Sequence, residues 1–238
     1  MCKSRIFILF IALAMLIGCS QIPITGSGNV ISQEEPISDF DKVDISSSFD
    51  VDISQGEGFS VIIRVDDNLV EHLQVVKEGS TLKTGLDPNR NYTASNATLE
   101  AELTMPELTG LDLSGASQAT ISGFKSANDL SVDLSGASSL FGDIEAAKTN
   151  FDLSGSSDAK LSGSGQETTI DITAGSQIDL SNFPVVDVTV NAAGGSTATV
   201  NTSGKLNADA SGASQIYYLG DPILGEIDTS GESSVEHR

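Results

Sequence analysis

Tryptophan is absent, aromatic residues make up only 5% of the chain, and there are two cysteines and two histidines in 238 residues. With so few rings, stacking of sugars or nucleobases loses its usual platform. Cys2 lies in an N-terminal leader, so the mature chain keeps only Cys19 and has no intramolecular disulfide. No CxxC or Cys/His spacing occurs, and His72 and His237 stand far apart, which excludes a structural zinc site. Basic residues are also scarce: 12 against 33 acidic ones, for a formal charge of −21. Such a chain lacks the basic face that phosphate binding needs, so nucleic acid is not expected as a partner. Unaided adsorption to an anionic membrane is excluded for the same reason.

What the chain does have is a repeat. Leu111-Asp112-Leu113-Ser114-Gly115-Ala116-Ser117 returns as Val132–Ser138 and Phe151–Ser157, more loosely as Ile170–Ser176 and Val190–Ser196, then clearly as Ala208–Ser214 and Ile227–Ser233. The second position falls at 112, 133, 152, 171, 191, 209 and 228, a period of 18 to 21 residues. A fixed period near twenty marks a solenoid, in which no single coil can bury its apolar face alone. Alternation of period two puts Leu111 and Leu113 inside and Asp112 outside. The Ser-Gly step then turns the chain, glycine tolerating the positive φ of a corner. Further inward positions follow at Ile121, Leu161, Leu180, Val200 and Tyr218, and at Leu130, Val188 and Leu206. The predicted fold is all-β: a parallel right-handed β-helix, or β-solenoid, of about 19–20 residues per coil.

Stacking at about 4.8 Å per coil places Asp112, Asp133, Asp152, Asp171, Asn191, Asp209 and Asp228 in one column, spanning roughly 29 Å. Neighbouring carboxylates there repel by about a kcal/mol in water. Backbone amides of the turn, or plain solvation, can offset this. The sharper alternative is a cation-binding ladder in which calcium bridges Asp112, Asp133, Asp152, Asp171, Asp209 and Asp228. Nothing matches a nonapeptide calcium repeat or an EF-hand loop, which favours the local explanation. Crowding along the column should raise some of these carboxyl pKa values. The fourth repeat position (Ser114, Ser135, Ser154, Thr173, Ala193, Ser211, Ser230) forms a hydroxyl ladder broken at Ala193, where serine at a tight corner caps backbone groups.

The other end of the chain is organised for export. Lys3 and Arg5 precede an apolar run at Ile6–Ile17, too short to span a bilayer, which needs about twenty residues. Leu16-Ile17-Gly18-Cys19 looks like the lipobox of a bacterial lipoprotein, implying residues 1–18 as signal peptide and lipidation of Cys19 as the link to the membrane. Residues 19–38 read as the lipidated cysteine and a flexible tether. Residues 39–110 read as an N-terminal β part, with strands around Phe49–Ile53, Phe59–Val65, Leu73–Val76, Leu82–Leu86 and Thr98–Met105 and one capped helical turn at Asp66–Leu73. Residues 111–238 are the repeat coils.

The N-terminal part resembles the head GIN domain, a family of bacterial envelope proteins known as putative auto-transporter adhesins. The resemblance lies in Gly26-Ser27-Gly28-Asn29, Phe40-x-x-Val43, Phe49-Asp50-Val51-x-Ile53-x-x-Gly56, Val61-x-Ile63-x-Val65, Asp67-Asn68-Leu69 and Gly79-x-x-Leu82, with serine-glycine repeats behind. It implies a β-solenoid head, an extracytoplasmic location and no established catalytic residues. Functionally the chain then reads as a lipid-anchored, non-catalytic surface binding or adhesin-like module with a protein or glycan ligand, in the outer membrane or cell surface where the host has an outer membrane. One alternative is an envelope scaffold packed against another envelope protein. Another is a polysaccharide-acting β-helix enzyme, but Lys125, Lys148, Lys160 and Lys205 show no shared register, no carboxylate pair stands out, and His72 and His237 read as solvated surface histidines.

Overall fold

The computed structural model describes residues 23–93, 96–125 and 128–238. The leader and Cys19 lie outside the described residues. Every repeat copy forms the same strand–corner–strand unit, and the copies stack as a β-solenoid of about seven turns. The register is the one the period dictates: Asp112 pairs with Asp133, Asp133 with Asp152, Asp152 with Asp171, Asp171 with Asn191, Asn191 with Asp209 and Asp209 with Asp228, all in parallel strands. A one-residue slip would turn each leucine outward, so the buried face locks the register.

Two sheets face each other across the core. The first, here the aspartate sheet, contributes the in-register columns Leu111–Val132–Phe151–Ile170–Val190–Ala208 and Leu113–Leu134–Leu153–Ile172–Ala192–Ala210, all buried. The second contributes Val51–Ala119–Leu140–Ala159–Ile178–Ala198–Ile216, also buried. Small and large side chains alternate from rung to rung in that column, which lets successive layers interlock at crystal-like density.

The corners explain the rest of the repeat. Gly115 and Ala116 both sit at positive φ (63° and 64°), as do Gly136 and Ala137 (63° and 67°). Glycine takes this without cost, whereas the alanine pays roughly 1–2 kcal/mol. Two bonds hold the strained corner. The Ala116 amide donates to the Gly136 carbonyl of the next rung at 2.9 Å. In five copies the closing serine turns inward: Ser117, Ser138, Ser157, Ser196 and Ser214 are buried and donate Oγ–H to the carbonyl three residues back, at 2.7 to 2.9 Å. The capping hydroxyl is thus the seventh position of the repeat. The fourth-position ladder is only loosely engaged, as with Ser114 Oγ to Ile45 O at 3.5 Å.

The stack also begins earlier than the visible repeats. Val43-Asp44-Ile45 is paired in parallel with Leu111-Asp112-Leu113, and its corner residues Ser47 and Ser48 have the same positive φ (68° and 63°). This copy escapes a period search because 68 residues separate Asp44 from Asp112. The intervening chain builds the N-terminal end. Strand Asp50–Gln55 does not pair with its neighbour in sequence, Ser60–Asp66; Leu99–Met105 inserts between them, parallel to the first and antiparallel to the second. A 3-10 helix, Asp67–His72, closes the end by burying Leu69.

The tether expectation needs correction. Residues 19–38 are not a flexible tether throughout: Ile24–Thr25 pairs with Tyr92–Thr93, and Val30–Glu34 lies antiparallel on Ser60–Asp66. The alternation of this segment is short and exposed, so its pairing left no hydrophobic signature.

Candidate functional site: the aspartate face

Each aspartate of the column is carried outward by strand alternation, with its carboxylate toward solvent. The column is longer than the repeats suggest. Asp44 precedes Asp112 in register, and Lys83 precedes Asp44. Lys83 Nζ lies 3.8 Å from Asp44 and 3.0 Å from Glu78, so an ammonium terminates the row of carboxylates; these neighbours hold the Lys83 pKa up. Near the other end Asn191 Nδ2 donates to Asp171 Oδ1 at 2.8 Å, so a neutral rung relieves its neighbour. Repulsion is therefore interrupted by two side chains of the column itself.

Asp112 and Asp133 have raised pKa values. For both, lost hydration against the sheet is the main cause, followed by neighbouring carboxylates: Asp44 and Asp133 for Asp112, Asp152 for Asp133. Lys83 opposes the shift at Asp112. The expected rise is present at these two rungs, but crowding is its second cause rather than its first.

For calcium the column is a sparse donor set. One carboxylate per rung falls short of the about six to eight oxygens the ion takes. Among the described residues no group of three or more His, Cys, Asp or Glu side chains converges to hold a metal.

The opposite sheet is held by charge ties the sequence pattern concealed. Lys160 lies beside Asp179 on the next rung at 3.2 Å, and elsewhere Lys125 meets Glu145 at 3.3 Å and Lys148 meets Glu167 at 2.6 Å. Each lysine precedes its acid by 19 or 20 residues, one coil, and that offset was the available signal. Asp158 is raised by burial and by Asp179, whereas at Asp179 burial is outweighed by hydrogen bonds from Ser181 and by Lys160. These three lysines form cross-rung ion pairs. His72 is not a solvated histidine: its side chain is only 14% exposed and stands edge-on to Tyr92, ring centres 5.9 Å apart. His237 is exposed, its ring tilted against Tyr218 with centres 5.1 Å apart, and Nε2 lies 2.9 Å from the Gly220 carbonyl.

At the N-terminal end, Gly26-Ser27-Gly28-Asn29 closes on Asp66-Asp67-Asn68. Ser27 Oγ donates to Asp67 at 2.6 Å and Asn29 Nδ2 to the same carboxylate at 2.7 Å, which together lower the Asp67 pKa. The Ser27 amide donates to Asn68 Oδ1 at 2.9 Å. Asp66, fully buried, accepts the amides of Gly28 and Thr98, each at 3.1 Å. It thereby ties three chain segments with one carboxylate and does not cap the following helix with its side chain. Gly26 must be glycine, since a Cβ there would lie 1.9 Å from the Asp66 carboxylate.

Fold and faces define a class: an all-β solenoid with an irregular N-terminal closure and long polar sheet faces. Within that class the chain belongs to the family described as "putative auto-transporter adhesin, head GIN domain", whose model matches residues 39–222. Solved structures share the fold. A putative adhesin from Bacteroides fragilis superposes with a TM-score of 0.82 at 21% identity, over 90% of this chain and 100% of that one. A putative lipid binding protein from Parabacteroides distasonis gives 0.74 at 20% identity, over 91% and 100%. A putative adhesin from Parabacteroides merdae gives 0.66 at 19% identity, over 90% and 98%. No curated protein matches the sequence.

Proposed function

We propose that this chain is a non-catalytic binding module of the cell envelope, anchored through lipid on Cys19 and displayed at the cell surface. The observation that carries the reading is the aspartate sheet itself: outward side chains repeat in register over the whole stack, forming a polar face suited to a partner met over many rungs. Membership in a family named for adhesion supports it. The partner is a glycan or a protein, and catalysis plays no part.

Three measurements test this. Cys19→Ser should move the protein from the detergent phase to the aqueous phase; unchanged partitioning would remove the lipid anchor. Added protease on intact cells should cut the head, and the purified chain should retain a specific glycan or matrix protein in a binding screen. Full protection from protease together with a blank screen would sink the surface reading.

A second reading, an envelope scaffold packed against a neighbour, draws on one feature. At the C-terminal coil Ile223 and Leu224 are 75% and 51% exposed beside the strand edge Ile223–Thr229. Co-purification of one stoichiometric envelope partner, lost on Leu224→Asp, would favour it.

A further inference from the structure

Beside the aspartate column runs a second outward column on the same sheet: Thr81, Lys42, Gly110, Ser131, Asn150, Thr169, Thr189 and Asn207, in register. Every rung has a side chain except Gly110. The Lys42 stem lies over that glycine, and the groove there, of about 340 Å³, is lined by Lys42, Ser131, Asp44, Asp112, Asp133 and Lys83. That is within the range, from about 300 Å³ upward, of sites that hold a small molecule.

The chemistry changes at this groove. Along the rest of the two columns the outward groups are carboxylates, hydroxyls and amides; the two lysines of these columns both stand here. Lys83 is engaged by Glu78 and Asp44. Among the described residues Lys42 forms no ion pair, although three carboxylates border the same groove. Its stem leans over Gly110, with Cγ 3.1 Å from where a Gly110 Cβ would be. A free cation would be attracted by three carboxylates but repelled by two ammoniums, and a free anion meets the reverse. A neutral group that both donates and accepts is matched on every side: its O–H groups donate to Asp44, Asp112 and Asp133, and its oxygens accept from Lys42 and Ser131. Vicinal hydroxyls on a ring have that character.

We propose that the Gly110 groove is a subsite for one neutral sugar residue of a glycan. It rests on the surface-binding reading and gives it a place and a ligand class. Lys42 closes over the sugar from one side, its flexible stem covering the apolar face of the ring in place of an absent aromatic. The probes are glucose, galactose, mannose and N-acetylglucosamine, titrated at millimolar concentration into the full chain in detergent while the amide resonances are followed. At least one sugar should give saturable shifts at Gly110, Asp112 and Ser131. Gly110→Val and Asp112→Asn should each weaken it about tenfold or more, while Asp209→Asn, five rungs along the same column, should leave it unchanged. Asp112→Asn keeps the test readable should Gly110→Val fail to fold. Absence of shifts with all four sugars overturns the proposal, as do shifts that survive Gly110→Val in a folded protein. If those amides stay silent while the chain still binds a glycan or matrix protein in the screen, the groove is wrong and the surface reading stands; if both fail, the surface reading falls as well.

Discussion

The two ends of this solenoid solve the same problem differently. At the N-terminal end irregular chain closes the stack: Leu69 is driven into the core from a 3-10 helix, antiparallel strands cover the first rungs, and the Gly26–Asn29 segment is clamped to Asp66-Asp67-Asn68. At the C-terminal coil the repeat simply runs on. Tyr218, Ile227 and Val235 continue the core columns but are only partly buried, and Ile223 and Leu224 are exposed. A repeat can bury every rung but the last, because each coil is covered only by the next. Closure needs a different kind of sequence, and in the described chain only the N-terminal end has it. The C-terminal edge has instead an exposed set of acids, Glu226, Asp228, Glu232 and Glu236, of the sort that discourages edge-to-edge pairing.

The strongest way to break this comparison is in the middle. Phe151 is 2% exposed between Val132 and Ile170. Phe151→Ala should cost about 3–5 kcal/mol, since a void forms that stacked neighbours cannot collapse into. Because coupling runs only between adjacent coils, hydrogen exchange should then show C-terminal amides opening while the clamped N-terminal end stays protected. Uniform loss of protection would mean that the stack is a single cooperative unit.

Asp66→Ala sharpens the comparison from the closed end. It orphans the amides of Gly28 and Thr98, a loss of about 2–3 kcal/mol, and should speed exchange in residues 26–34 before any repeat amide is affected. Protection unchanged there would show that strand pairing alone holds the segment.

Asp112→Asn acts on charge and should stabilise by about 0.5 kcal/mol at neutral pH, screened by solvent. The new amide can donate to a neighbouring carboxylate, as Asn191 does to Asp171. The sign of the pH dependence follows from the shifts. Asp112 and Asp133 have folded-state pKa values above the unfolded ones, so they bind protons more tightly when folded. Their contribution to stability grows as pH falls through the raised folded values and levels off below the unfolded value near 3.9. Asp67 works the other way: its pKa is lowered, and its contribution is lost as pH falls through that lowered value. Melting curves of the wild type and of Asp112→Asn should converge between pH 7 and 4. Parallel curves would show that Asp112 does not titrate differently in the two states.

At the open end, replacing Glu226, Asp228, Glu232 and Glu236 with alanine should leave stability within about 0.5 kcal/mol yet shift the protein toward larger species on a sizing column. A monomer profile identical to wild type would remove the edge-guarding role.

Legibility followed periodicity. The register of all seven visible copies, the inward leucines and the outward aspartates could be read directly, because a twenty-residue period combined with alternation leaves one arrangement that buries the apolar set. The glycine corners were legible for the same reason. The eighth copy at Asp44 was hidden by the insertion behind it, and the buried role of the closing serine was masked by a second recurring serine three residues earlier. The cross-rung lysine ties each occur once, so no pattern drew attention to them.

The sequence alone thus determined the solenoid, its coil length and the composition of its faces, all of which depend on local alternation repeated at fixed spacing. Tertiary structure decided what depends on meetings between distant segments. It brought Gly26–Asn29 onto Asp66, placed Leu99–Met105 between two strands that are neighbours in sequence, and set Lys83 at the head of the aspartate column. It also laid the Lys42 stem over Gly110. Each of these joins residues more than twenty positions apart without a period to announce them, and only closing the chain on itself determines which of them meet.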